Sequence, residues 1–261
     1  MNGTDREFAG AAFVVTGAAS GIGRAISLRL ALAGAEIIAV DRDAAGLEQL
    51  ERDLCGNGNS IVPQLLDLAA LSDIAALDRF LAARKGPGLR GAVNCAALVV
   101  PCPVMEQEAA AWDETFAVNL RAPLLITQLA VRYRDLGAPA GIVHISSTAA
   151  AIARSGHAAY AASKAALEQL ARVQAIELAA AGIRVNAIRV GLVDTEGVRL
   201  AAAGEAGQAE HRAKIARIPL KREGRPQEIA EMAAFLLSHR SSFCTGGIYT
   251  VDGGYTAGLS S

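Results

Sequence analysis

Thr16-Gly17-Ala18-Ala19-Ser20-Gly21-Ile22-Gly23 runs straight out of a short apolar stretch, Ala12–Thr16, and into a helical pattern, Ile22–Ala33. A strand that ends in glycines and turns at once into a helix suits a pyrophosphate. The first N–H groups of the helix have no intrahelical partner, and the helix dipole favours an anion there. Gly17 permits the turn, Gly21 lets the backbone come close to a ligand, and Gly23 lets the helix pack on the strand. A glycine turn alone is also what an ordinary tight turn looks like, so its context decides.

The next apolar run closes on Val40-Asp41, with Asp41 20 residues beyond Gly21. A carboxylate there can take both hydrogen bonds of an adenosine ribose diol and repels a 2′-phosphate, which predicts NAD rather than NADP as cofactor. Arg42 follows directly and pulls the other way. Ser20, rather than a basic residue, precedes Gly21 and restores the NAD reading. The alternative is that Asp41 only caps the loop before Ala44.

Further along, apolar runs at Ala12–Thr16, Glu36–Val40, Ile61–Leu66, Gly91–Asn94, Gly141–Ser146, Arg184–Ile188 and Gly247–Val251 are nearly continuous rather than alternating. Strands buried on both faces of a parallel sheet look like this. Helical patterns at Ile22–Ala33, Ala44–Leu54, Leu71–Ala83, Trp112–Asp135, Ala158–Ala181 and Pro226–Ser238 lie between them. The alternation predicts an α/β fold, a doubly wound, Rossmann-like three-layer sandwich with a seven-stranded parallel sheet, using residues 1–261 as one domain. The segment Asp194–Ile218 is longer than one connecting helix needs and reads as an insertion at the sheet edge able to act as a lid.

The chain has 261 residues, of which 52% are hydrophobic and 20% charged, which excludes disorder. A net charge of −1 and 4% aromatic content leave no footprint for nucleic acid. Glu36 and Asp41 interrupt the richest apolar stretch, so no membrane span is expected. Cys55, Cys95, Cys102 and Cys244 form no CxxC and have no metal-type spacing with histidine, so no metal is expected. Met1–Gly10 carries Asp5, Arg6 and Glu7 and does not read as a secretory leader. The expectation is a reduced, cytoplasmic protein.

Tyr160-Ala-Ala-Ser-Lys164 places a phenol and an ammonium on one helical face. A neighbouring cation favours the phenolate, which predicts a lowered Tyr160 pKa and a group able to exchange a proton with a substrate oxygen. Such spacing also arises by chance on exposed helices. Ser147, however, ends the strand 13 residues earlier, where it can reach the same oxygen.

With these motifs in order over nearly its whole length, the sequence resembles the short-chain dehydrogenase/reductase family. The resemblance implies a catalytic set of Asn119, Ser147, Tyr160 and Lys164, with Ser147 and Tyr160 on the substrate. Asn119 would hold a water linking Lys164 to solvent. It implies cofactor contacts from Gly17, Ser20, Gly21, Ile22, Gly23, Asp41, Arg42, Asp67, Leu68, Asn94, Tyr160, Lys164, Val193 and Thr195. Among these, Asp67 would meet the adenine, and Val193 and Thr195 the nicotinamide carboxamide and adjoining phosphate. Val251-Asp252-Gly253-Gly254 matches a C-terminal signature. Ala97 and Val190, with Arg189 before it, depart from the family pattern and leave the substrate open.

The expected activity is hydride transfer between NAD and a secondary alcohol such as a polyol, sugar, cyclic alcohol or hydroxy acid. The alternatives are an NADPH-dependent carbonyl reductase of the 3-oxoacyl type and a non-catalytic cofactor-sensing protein. Arg154 or Arg189 could anchor an anionic substrate, or each could pair with a nearby acid. His157 reads as a helix-start residue, His144 as a structural donor and Cys95 as a buried filler. Apolar surface on the Trp112–Asp135 and Ala158–Ala181 helices points to a homo-oligomer, a tetramer or dimer.

Overall fold

The structure, a computed structural model, describes residues 6–55 and 60–258. Residues 1–5, part of the N-terminal segment read above, and the side chain of Cys55 lie outside the described residues. In chain order the elements are β1 (Ala12–Thr16), α1 (Gly21–Leu32), β2 (Glu36–Asp41), α2 (Ala44–Cys55), β3 (Ser60–Leu65), α3 (Leu71–Ala83) and β4 (Leu89–Asn94). They continue with α4 (Ala109–Phe116), α5 (Ala122–Arg132), β5 (Ala140–Ser147), α6 (Ala158–Leu178), β6 (Ile183–Val190), α7 (Glu196–Ala201), α8 (Gly204–Ala216), α9 (Pro226–Leu237) and β7 (Ile248–Val251).

The seven strands form one sheet in the order β3-β2-β1-β4-β5-β6-β7, and every neighbouring pair is parallel. Alternation along each strand divides the core between the two faces. Phe13, Val15, Ile37 and Ala39 pack with α1, α2 and α9 through Ile26, Leu30, Leu50 and Ile229. Val14, Ile38 and Val40 pack on the opposite face with α3, α5 and α6 through Leu77, Ile126 and Ala171. Each fully buried Val, Leu, Ile or Phe among them contributes ~1.5–3 kcal/mol relative to exposure. Pro63, which has no N–H to give to a sheet, lies in the edge strand β3.

The strands match the sequence expectations to within two residues at either end. The single helix expected over Trp112–Asp135 is instead divided. A π-helical turn, Ala117–Arg121, separates α4 from α5, and the Ala122 N–H bonds to the Ala117 carbonyl five residues back. Pro123 has no N–H for the Asn119 carbonyl four residues before it, so the α-helical pattern breaks at this point. The segment Asp194–Ile218 folds into α7 and α8, neither of which buries a residue. No helix among the described residues is long and apolar enough to cross a membrane.

Candidate active site

The sheet reverses its winding between β1 and β4, and the crevice beyond the carboxyl ends of these strands is where open α/β sheets bind ligands. The Thr16 hydroxyl closes this point. It accepts from the N–H groups of Cys95 at 3.0 Å and Ala96 at 3.2 Å, which ties the end of β1 to the loop after β4. Above it opens a cavity of about 520 Å³.

The glycine turn forms one wall. Gly17 has φ +66°, and a Cβ there would meet the Ala96 backbone at 2.9 Å. A Cβ on Gly23 would lie 1.9 Å from the Gly17 carbonyl oxygen, so any side chain would separate helix from loop. Ser20 makes no side-chain cap on α1, so the first amides of the helix have no side-chain partner there. Asp41 faces the same wall. Its Oδ2 accepts from the Ala19 N–H at 2.9 Å and its Oδ1 from the Asp43 N–H at 3.1 Å. Open amides at one end and a carboxylate at the next strand fit the pyrophosphate and ribose of a dinucleotide.

Among the residues singled out from the sequence, Gly17, Ser20, Gly21, Ile22, Gly23, Asp41, Arg42, Asp67, Leu68, Ser147, Tyr160, Lys164, Val193 and Thr195 all line this cavity. Asn94 does not face it. Its side chain is buried, with Nδ2 3.2 Å from His144 Nδ1, because it points into the sheet interior instead. Asn119 also sits behind the wall, fully buried. Its Oδ1 accepts from the Leu98 N–H at 2.7 Å, while Nδ2 donates to the Leu98 carbonyl at 2.9 Å and to Ser163 Oγ at 3.0 Å. Its side chain therefore fixes the loop after β4, and the main-chain carbonyl lacks its α-helical donor because Pro123 follows.

Ser147, Tyr160 and Lys164 meet at the far end of the cavity. Ser147 caps the turn after β5, accepting from the Ala149 N–H at 3.2 Å. Lys164 donates from Nζ to the Ile145 carbonyl at 2.8 Å and lies 5.8 Å from the Tyr160 ring centre. Burial penalises its ammonium and brings the Lys164 pKa down to about 8. Burial also raises the Tyr160 pKa, with the Ser147 hydroxyl opposing it. The lowering by Lys164 expected from sequence spacing is thus overturned: loss of water from around the phenol is the larger influence.

The remaining polar candidates are engaged elsewhere. Arg154 pairs with Glu210 on α8 at 2.8 Å, and Arg189 pairs with Glu168 at 2.6 Å. His157 Nδ1 lies 2.9 Å from the Ser155 carbonyl. His144 Nε2 lies 2.8 Å from Gln174 Oε1, and burial lowers its pKa to about 4, as fits a neutral structural donor. Burial pushes the Cys95 thiol up to about 12, so it is no ready nucleophile. Glu196, Gly197 and Val198 also line the cavity without having been singled out as contacts. Their signal was positional, since each follows the carboxyl end of β6, where such sheets place their sites.

The family described as enoyl-(acyl carrier protein) reductase, adh_short_C2, matches residues 17–256. An L-xylulose reductase from Bos taurus is 37% identical over 97% of this chain and 99% of its own length. A cis-4-hydroxycyclohexanecarboxylate dehydrogenase from Sinomonas cyclohexanicum is 38% identical over 96% of this chain and 98% of its own. The crystal structure of L-sorbose reductase from Gluconobacter frateurii, complexed with NADPH and L-sorbose, superposes with a TM-score of 0.91 at 27% identity, covering 98% of this chain and all of that one.

Proposed function

The chain belongs to the short-chain dehydrogenase/reductase family of NAD(P)-dependent oxidoreductases acting on CH–OH groups, and on that premise we propose that it interconverts a neutral secondary alcohol, a polyol or sugar, with its ketone. The observation that carries this reading is the convergence of Ser147, Tyr160 and Lys164 in the same cavity as the glycine turn. The bound nicotinamide supplies or accepts the hydride. Tyr160 passes a proton between its hydroxyl and the substrate oxygen, and a phenol that burial keeps protonated suits donation to a carbonyl. Ser147 orients that oxygen through its hydroxyl. Lys164 supports Tyr160 and would hold the nicotinamide ribose. The Asn119 carbonyl, lacking an α-helical donor, would hold the water that returns protons toward Lys164.

The neutral character follows from the arginines. Neither Arg154 nor Arg189 lines the cavity; Arg189 is held by Glu168, and Arg154 lies at the surface beside Glu210. For the cofactor, the Asp41 carboxylate supports NAD. A second reading, NADP, is favoured by Arg42 in the same cavity and by the NADPH in the L-sorbose reductase structure. The α7–α8 segment, which buries nothing, acts as a lid over the site. Exposed Leu124, Val173 and Ile176 on α5 and α6 support a homo-oligomer. The thiols of Cys95, Cys102 and Cys244 are free, which suits a reducing cytoplasm.

The test is a cofactor-reduction and cofactor-oxidation screen with NAD(H) and NADP(H) over polyols, ketoses, cyclic alcohols and hydroxy acids, with cis-4-hydroxycyclohexanecarboxylate as the anionic probe. Neutral polyols or ketoses should give the highest kcat/KM. A clear preference for the anionic probe would overturn the substrate reading, and absence of turnover across the screen would overturn the activity.

A further inference from the structure

Behind the floor of the cavity, one ion pair, between the buried Glu168 and the partly buried Arg189, joins three elements. Glu168 lies one helical turn beyond Lys164 on α6. Its Oε1 accepts from the Ser146 hydroxyl at 2.9 Å and from Arg189 Nε at 2.9 Å, and its Oε2 accepts from Arg189 Nη2 at 2.6 Å. Ser146 immediately precedes Ser147 on β5, and Arg189 stands opposite Ser146 in the β5–β6 register. One turn earlier, Lys164 is fixed to the Ile145 carbonyl at 2.8 Å. Two successive turns of α6 are therefore tied to two successive residues of β5, directly ahead of Ser147.

An ion pair largely withdrawn from water is a weak source of net stability, because the loss of hydration offsets the attraction. A two-pronged arginine–carboxylate contact instead supplies direction. Apolar contacts would let α6 slide along the sheet. This contact does not, and it acts on the elements that carry Ser147, Tyr160 and Lys164. We propose that the Glu168–Arg189 pair is a positioning device that sets the placement of α6 against β5, and with it the spacing of Tyr160 and Lys164 from Ser147. Neither residue lines the cavity. The proposal rests on the hydride-transfer reading for its kinetic arm alone.

The experiment compares wild type with Glu168→Gln, with Arg189→Met, and with the double variant Glu168→Met/Arg189→Leu, an apolar replacement that keeps the volume filled. Each is followed by Tm, by dinucleotide Kd from fluorescence titration, by kcat and KM, and by amide hydrogen exchange of the unliganded protein over residues 145–147 and 158–168. Exchange should speed up in both segments but not in β1 or α1. Because sub-ångström placement of reacting groups governs rate, kcat should fall ~10- to 100-fold while KM and Kd stay within about 2-fold. The double variant should recover Tm without recovering kcat. A folded double variant with wild-type kcat, or unchanged exchange in both segments, overturns the proposal. If wild type turns over nothing in the screen, the activity reading fails, and the exchange measurement decides the positioning role by itself.

Discussion

Tyr160 carries the heaviest assignment of any single residue. Its burial raises the phenol pKa, and nothing else in the cavity is as well placed to exchange a proton with a substrate oxygen beside Ser147. Replacing it with Phe removes one oxygen and little else. Tyr160→Phe should lower kcat by ~10²–10⁴ and leave dinucleotide Kd within about 2-fold. Near-wild-type turnover would take Tyr160 out of the proton path. Asp41 is assigned cofactor choice. In Asp41→Asn the side-chain oxygen can still accept the Ala19 N–H, but the charge facing a 2′-phosphate is gone and Arg42 is left beside it. The ratio of kcat/KM for NADP to that for NAD should rise about tenfold or more, corresponding to ~1.4 kcal/mol. An unchanged ratio would show that selection lies elsewhere.

Among the elements, α7 and α8 stand apart because no residue of either is buried. Polar side-chain contacts attach α8 to its surroundings: the ion pair Arg154–Glu210 at 2.8 Å, in the loop between β5 and α6, and the half-buried contact His211–Glu223 at 3.2 Å, before α9. An exposed pair such as Arg154–Glu210 contributes only ~0–1 kcal/mol and weakens as salt shortens the screening length. Limited proteolysis within residues 194–218 should therefore run a few-fold faster at 1 M than at about 0.01 M salt, and Arg154→Ala should raise the low-salt rate to a similar extent. A rate independent of both would mean that something other than charge holds the segment. The strands were legible in the sequence because most are nearly continuous apolar runs, and the glycine turn because its residues must serve several constraints at once. The division of α4 from α5 was not, since a π turn of five residues barely disturbs an apolar pattern; Pro123 was the available sign. The partners of Arg189 and Arg154 were hidden for another reason. Glu168 and Glu210 lie 21 and 56 residues away and meet them only through the fold.

At the scale of the whole molecule, the two cores and the sheet between them unfold around buried polar groups, and His144 is the clearest of these. Burial holds its pKa near 4 in the folded protein against 6.5 for an unhindered imidazole. The unfolded chain therefore takes up a proton first as pH falls. The stability due to neutral His144 is intact above pH 6.5 and is progressively lost between pH 6.5 and 4. Thermal unfolding followed across that window should show a falling Tm in wild type and a shallower fall in His144→Gln, which stays neutral throughout. Equal slopes would assign acid sensitivity to carboxylates instead.

The parallel sheet has one more consequence. Because every strand points the same way, Thr16, Asp41, Ser147 and Val190 all finish at one end of the sheet, and among the described residues the opposite end carries turns that feed the strands, such as Gly34, Gly182 and the exposed Leu136 ahead of β5. The molecule has a working end and a blank end. A surface attachment, a fluorescent reporter or a tether to a second enzyme belongs at the blank end, near Leu136–Gly137, where it leaves the mouth of the cavity facing away from the support.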